Sequence, residues 1–141
     1  MSDFSVFMAG NAKGNENVKY VASKRFEAKG KPVEWEIQAI SSELDEAIRK
    51  ECTKKVPIAG KRGQYNQETD TDKYLGRVCV ACTVYPNLND AELQDSYGVK
   101  SGDALLKKML LPGEYIEYKA KVMEVNGYDM SMEELVDEAK N

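Results

Sequence analysis

The sequence predicts an α+β domain, mainly α-helical, in which an N-terminal β-hairpin is followed by about five short helices. Two patterns carry that prediction. Apolar residues alternate with polar ones over 18–40, and from residue 42 onward they recur at helical spacing in segments separated by Pro, Gly and capping residues. A length of 141 residues with 42% hydrophobic composition suits one domain with a core of its own. The organisation expected is a flexible arm over 1–17 and a single domain over 18–141, with the hairpin at 18–40 and the helical part at 42–140.

The arm carries one apolar patch, Phe4, Val6, Phe7 and Met8, followed by Gly10-Asn11-Ala12-Lys13-Gly14-Asn15, too rich in Gly and Asn for a stable helix. In the hairpin, Val18, Tyr20 and Phe26 share one face of a first strand, and Val33, Trp35 and Ile37 one face of a second. Ala28-Lys29-Gly30-Lys31-Pro32 forms the turn, which sets Lys19 and Arg25 opposite Glu34 and Glu36.

A first helix is expected with Ser42 and Asp45 at its start and a stripe of Leu44, Ala47, Ile48 and Cys52. The segment 54–69, with Pro57, Gly60, Gly63 and the cations Lys54, Lys55, Lys61 and Arg62, reads as a loop that is mobile or touches a partner. A second helix fits from near Thr71, carrying Tyr74, Leu75, Val78, Cys82 and Tyr85, while the β-branched content of 78–84 leaves a strand open.

The next unit is the most fully specified. Pro86 closes the apolar run, Asn89 stands as the cap, Glu92 as its capping-box partner, Leu88 and Leu93 at the staple positions, and Tyr97-Gly98 at the stop. Ser101 then caps a helix bearing Leu105, Leu106, Met109 and Leu110, which Pro112-Gly113 breaks. Tyr115, Ile116, Ala120 and Met123 mark another, stopped by Asn126-Gly127. A last helix starts at a Ser131/Glu134 capping box and presents Met132, Leu135, Val136 and Ala139.

Composition narrows the function. A net charge of −4 argues against nucleic acid as the main partner, because binding phosphates requires a cationic surplus. No apolar run approaches the ~20 residues of a membrane span, and the N-terminus has no basic region leading into an apolar core, so a cytoplasmic location is expected. Three cysteines cannot all pair, and free thiols are expected; the lack of histidine removes the commonest general base and metal ligand.

The reactive-looking motifs weigh little. Cys79-Val80-Ala81-Cys82 is a CxxC, which leaves a thiol oxidoreductase as a remote reading. Only Cys52 could join it as a soft metal ligand, and no βαβ setting surrounds it. Asp70-Thr71-Asp72 lacks the continuation of a calcium loop and suits a helix start. Gly98-Val99-Lys100-Ser101-Gly102 lacks phosphate-loop spacing and suits a helix–helix turn. Glu34, Glu36, Asp90, Glu92 and Asp95 read as solvated acids. No catalytic, metal-binding or cofactor-binding residue is therefore assigned. Protein contact is the remaining class, through Phe4, Phe7, Met8, Leu88, Leu93, Tyr97, Met132, Leu135 and Val136.

Six segments together resemble a known family. They are Val18-Lys19-Tyr20-Val21-Ala22-Ser23-Lys24-Arg25-Phe26, Pro32-Val33-Glu34-Trp35-Glu36-Ile37, Cys52-Thr53-Lys54-Lys55-Val56-Pro57, the unit from Tyr85 to Gly98, Leu110-Leu111-Pro112-Gly113-Glu114-Tyr115 and Asn126-Gly127-Tyr128-Asp129. As a set they resemble the XkdN-like phage tail assembly chaperones of tailed phages, prophages and PBSX-type phage-like elements. The resemblance runs across nearly the whole chain. It implies a non-enzymatic factor of the host bacterial cytoplasm, absent from the mature virion, that coats the tape measure protein, keeps it soluble and recruits tail tube protein. It also implies, for many members, a longer form made by programmed frameshifting. Ala139-Lys140-Asn141 is compatible with the slippery heptamer A AAA AAC. A structural tail completion or connector protein is the alternative.

Overall fold

The computed structural model describes residues 4–128. β1 (Val18–Tyr20) and β4 (Trp35–Ile37) pair antiparallel with Val18 opposite Ile37, Lys19 opposite Glu36 and Tyr20 opposite Trp35. The expected hairpin is thus present, but its strands are shorter than the alternation suggested. Between them a separate small hairpin, β2 (Glu27–Ala28) and β3 (Lys31–Pro32), turns through Lys29 and Gly30, both at positive φ. Lys19 meets Glu36 at 2.6 Å as expected. Arg25 does not face the strand acids: it leaves the sheet and reaches Glu114 at 3.8 Å and the Met109 carbonyl.

After Ile40 the chain enters α1 (Ser42–Glu51). The cap is Ser41, whose hydroxyl accepts the Leu44 N–H at 3.1 Å, and not Ser42. Of two adjacent serines the first has the extended backbone a cap requires. Ile48 and Cys52 are buried from the expected stripe, whereas Leu44 and Ala47 stay exposed.

The expected loop at 54–69 is instead a two-stranded ribbon. β5 (Thr53–Pro57) pairs with β6 (Tyr65–Thr69), from Thr53 opposite Thr69 to Pro57 opposite Tyr65. Gly60 and Gly63, both at positive φ, shape its tip, and the Thr53 and Thr69 hydroxyls close its base at 2.7 Å. The Asp70 N–H donates to the Cys52 carbonyl, tying the ribbon's two ends together.

α2 (Thr71–Cys82) starts at Asp70, whose carboxylate accepts the Lys73 N–H. It stops three residues short of Tyr85, and β7 (Thr83–Tyr85) adds to the free edge of β4, giving the sheet order β1-β4-β7. The strand alternative therefore holds for 83–85. The stop has a visible cause: the Thr83 hydroxyl donates back to the Cys79 carbonyl or meets the Tyr118 hydroxyl, at 2.7 and 2.6 Å, and its backbone is extended.

α3 (Ala91–Ser96) is capped by Asp90, not Asn89: the Asp90 carboxylate accepts the Leu93 N–H at 2.9 Å. Asn89 is held outside the helix by its own N–H donating to the Asn87 side chain. Every position shifts by one, so Glu92 is the second helical residue and the capping box is lost. At the other end Gly98 takes positive φ while its N–H and that of Val99 bond back to Asp95 and Gln94, a Schellman ending.

α4 (Gly102–Met109) has the expected Ser101 cap. Pro112 both ends that unit and opens α5 (Pro112–Val125), where it is the first helical residue and Glu114 reaches back to the Leu111 N–H. Asn126 and Gly127 end α5 as expected. The Ser131/Glu134 box and the helix it would start lie outside the described residues.

α2 lies among α1, α4 and α5, and the sheet covers the assembly with Trp35 and Ile37 pointing inward. The Trp35 ring meets Tyr118 of α5 edge-on at 5.2 Å, and Tyr20 packs on the same tyrosine at 6.0 Å. Leu75, Leu105, Leu106 and Val122 fill the space behind them. Gly102 permits the α2–α4 approach, since a Cβ there would lie 2.8 Å from Val80 Cγ1.

Candidate functional site

The N-terminal patch forms a single 3₁₀ turn, Phe4–Phe7, with Met8 directly after it; Phe4 is 70% exposed, Phe7 81% and Met8 55%. Local bonds shape the turn: the Asn11 side chain donates to the Ser5 carbonyl, and the Asn11 and Ala12 N–H groups donate to the Met8 carbonyl. The end of this arm is fastened to the sheet by Asn17, whose amide donates to Glu36 at 2.9 Å. Four apolar side chains, Phe4, Val6, Phe7 and Met8, thus stand in water on one short stretch of chain, the reverse of what folding alone favours.

The other named contact residues are placed differently. Leu88 is 1% exposed and belongs to the core, and Leu93 and Tyr97 are half-buried against it. The α3 unit therefore turns its apolar side inward, and the Gln94 amide ties it to the Leu88 carbonyl at 2.8 Å. Met132, Leu135 and Val136 lie outside the described residues. Phe4, Phe7 and Met8 are all exposed within one short stretch of the arm, whereas Leu88, Leu93 and Tyr97 pack into or against the core. Sequence patterning missed the exposed Val84 and Tyr85 of β7, an edge strand of the sheet; Tyr85 read there as the end of a helix stripe and Val84 as part of the β-branched run.

A second feature is electrostatic. Arg49 and Lys50 at the end of α1 face Lys54 and Lys55 at the base of the ribbon, and the four line an open groove of about 610 Å³ with Glu46, Gln67 and the two threonines. Arg49 is held in place by stacking on the Tyr74 ring at 4.2 Å, while the Tyr74 hydroxyl donates to Asp45. Lys54 and Lys55 were visible as part of a basic run; Arg49 and Lys50 were not, because a helix and a hairpin had to fold together to join them.

The thiols have no such access. Cys79 and Cys82 are fully buried, and desolvation pushes both thiols up from their ordinary value of 9.0. The Asn126 amide donates to Cys82 Sγ at 3.3 Å. Cys52 is also buried and its thiol raised, chiefly by desolvation. A dithiol oxidoreductase needs a solvent-accessible thiolate, which buried neutral thiols do not supply. Among the described residues no three Cys, Asp or Glu side chains converge on a common point that would hold a metal ion. The Tyr115 hydroxyl is buried without a hydrogen-bond partner among the described residues, packed where Gly76 leaves room.

Comparison with known proteins places the chain in a family. The family model of the phage XkdN-like tail assembly chaperone proteins matches residues 4–140. Two relatives from Bacillus subtilis (strain 168) align over 141 residues. One, the uncharacterized protein YqbN, is 35% identical, covering 99% of this chain and 93% of its own. The other, the XkdN protein of the phage-like element PBSX, is 30% identical, covering 99% and 94%. The crystal structure of YqbN superposes with a TM-score of 0.78 at 30% identity over 92% of this chain and 99% of that one. With the match spanning nearly every residue and the fold shared, the chain belongs to the XkdN-like family of phage tail assembly chaperones.

Proposed function

We propose that this chain binds the tape measure protein of its own phage, keeps it soluble, and promotes polymerisation of the tail tube around it. The family match over residues 4–140 supports the assembly role. The observation that carries the choice of surface is the turn of Phe4, Phe7 and Met8, whose apolar side chains stand in solvent. A long, aggregation-prone partner that must later be released is best held by many weak contacts, because each copy must come off again as tube subunits arrive. The tail tube protein is the second partner, and the work is done without catalysis, in the host cytoplasm, by a protein that leaves before the virion is complete. Met132, Leu135 and Val136 extend the contact surface. A slippery heptamer A AAA AAC at codons 139–141 makes a longer frameshifted form; an interrupted A-run at those codons removes that part of the reading.

Co-expression with the cognate tape measure protein tests the role. Soluble tape measure that co-purifies with this chain is expected, and Phe4→Asp with Phe7→Asp returns it to the insoluble fraction while this chain stays folded. Insoluble tape measure, with this chain present stoichiometrically in purified tails, replaces the chaperone reading with that of a tail completion or connector component.

A further inference from the structure

The protein is acidic overall, yet its charge is sharply divided. Residues 49–62 hold six cations, Arg49, Lys50, Lys54, Lys55, Lys61 and Arg62, against one anion, Glu51, a net of +5 within a chain of −4. Glu51 is engaged elsewhere, in an ion pair with Arg77 at 2.8 Å. Among the described residues, Lys50, Lys54, Lys55, Lys61 and Arg62 have no ion-pair partner within 4 Å, and all are exposed. Lys54 lies opposite Glu68 in the ribbon register, and Glu46 lies on the groove rim, so two carboxylates face this cationic set without neutralising it. Like charges concentrated around one groove repel, and a complementary anion is stabilised there.

The complement is in the same chain. Residues 129–141 contain Asp129, Glu133, Glu134, Asp137 and Glu138 against Lys140, a net of −4. At helical spacing the last four acids fall on one side, and Met132, Leu135, Val136 and Ala139 on the other. The described chain leaves at the correct place: Tyr128 lines a cleft with Ser42 and Asp45 in the first turn of α1, and the groove begins at Glu46 and Arg49 in the next. One helical turn is about 5.4 Å, and thirteen residues reach roughly 20 Å as a helix. The near end of the groove, at Glu46 and Arg49, is about one helical turn along α1 from the residues that Tyr128 neighbours.

We propose that the acidic segment 129–141 docks over the basic groove between α1 and the β5–β6 ribbon, held by charge. Docking through the acidic side turns the apolar side outward, toward a partner, and covers cations that would otherwise attract nucleic acid or an unrelated acidic protein. The inference does not depend on which protein the N-terminal turn binds.

Zero-length carbodiimide coupling on the full chain, with the linked peptides identified by mass spectrometry, tests it. Isopeptide bonds from Lys50, Lys54 or Lys55 to Glu133, Glu134, Asp137 or Glu138 are expected within the monomer fraction. Their yield falls about fivefold or more between 0.01 M and 1 M salt, as the Debye length shrinks from about 30 Å to about 3 Å. Lys54→Glu with Lys55→Glu removes the links at those two positions and lowers the yield at Lys50, and adding Glu133→Lys, Glu134→Lys and Asp137→Lys restores links at positions 54 and 55 with amine and carboxylate exchanged. Links found only between copies, links spread equally to Lys19 and Lys107, or a yield indifferent to salt each overturn the proposal.

Discussion

The body of the molecule and the β5–β6 ribbon are built on opposite terms. In the body the three-stranded sheet and the longer helices have an inner side: Trp35 and Ile37 of the sheet share one buried core with Tyr118 of α5 and the leucines of α2 and α4. In the ribbon no residue from Thr53 to Thr69 other than its two threonine ends, Val56 and Ile58 is even half-buried. The body is held by apolar burial and close packing, whereas the ribbon is held by its ladder and its tight tip. The contrast teaches that the two halves of the protein's surface chemistry are separable: the ribbon can carry charge because the fold does not lean on it.

Substitutions rank along that divide. Trp35→Ala should be the most costly, about 3–5 kcal/mol, since it leaves a void beneath Tyr118 and Phe26. That is a large part of the 5–15 kcal/mol typical of a domain, and denaturant melts will show either a much lower midpoint or no folded baseline. A loss below about 1 kcal/mol would remove Trp35 from the centre of the core. Gly102→Ala comes next at about 1–3 kcal/mol, because its Cβ would press on Val80. Gly113→Ala is the control, since nothing lies within 4 Å of a Cβ there. Equal melting shifts for the two would contradict the tight α2–α4 crossing.

Asp90→Ala should cost about 1 kcal/mol through the lost cap, and Asn89→Ala clearly less. Thermal melts giving the reverse order would return the cap to Asn89. Smallest of all, Lys61→Ala and Arg62→Ala at the ribbon tip should stay within about 0.5 kcal/mol of the parent, as for exposed positions generally. A larger loss would mean the ribbon supports the body after all.

The same divide decided what could be read from the residues alone. Helices with a buried face and their own punctuation, α2, α4 and α5, start where spacing and caps place them, although α2 ends three residues early, and Asp70 and Ser101 stand at their helix starts as expected. Misplaced caps are single-residue shifts at Ser41 and Asp90, where two competent side chains are adjacent and the backbone chooses between them. The ribbon was illegible because a strand exposed on both sides shows no alternation. β7 was half-legible, since Thr83 and Tyr85 continue an apolar run and only pairing with β4 separates strand from helix. Of the contact residues, Phe4, Phe7 and Met8 stood out because their neighbours cannot form a core. Leu88 was indistinguishable from a surface leucine until α3 was placed.

The position of β4 has a further consequence, for the order of events on the ribosome. Its outer neighbour β7 is made from residues 83–85, and the ring that closes over Trp35 comes from residue 118. The central strand is among the first parts of the domain to emerge and waits for some of the last, so its tryptophan stays uncovered through most of translation. The ribbon, whose strands are joined by a turn of residues 58–64, needs no such wait. A member of a tail assembly chaperone family thus passes through a long interval in which its own central tryptophan is unsheltered.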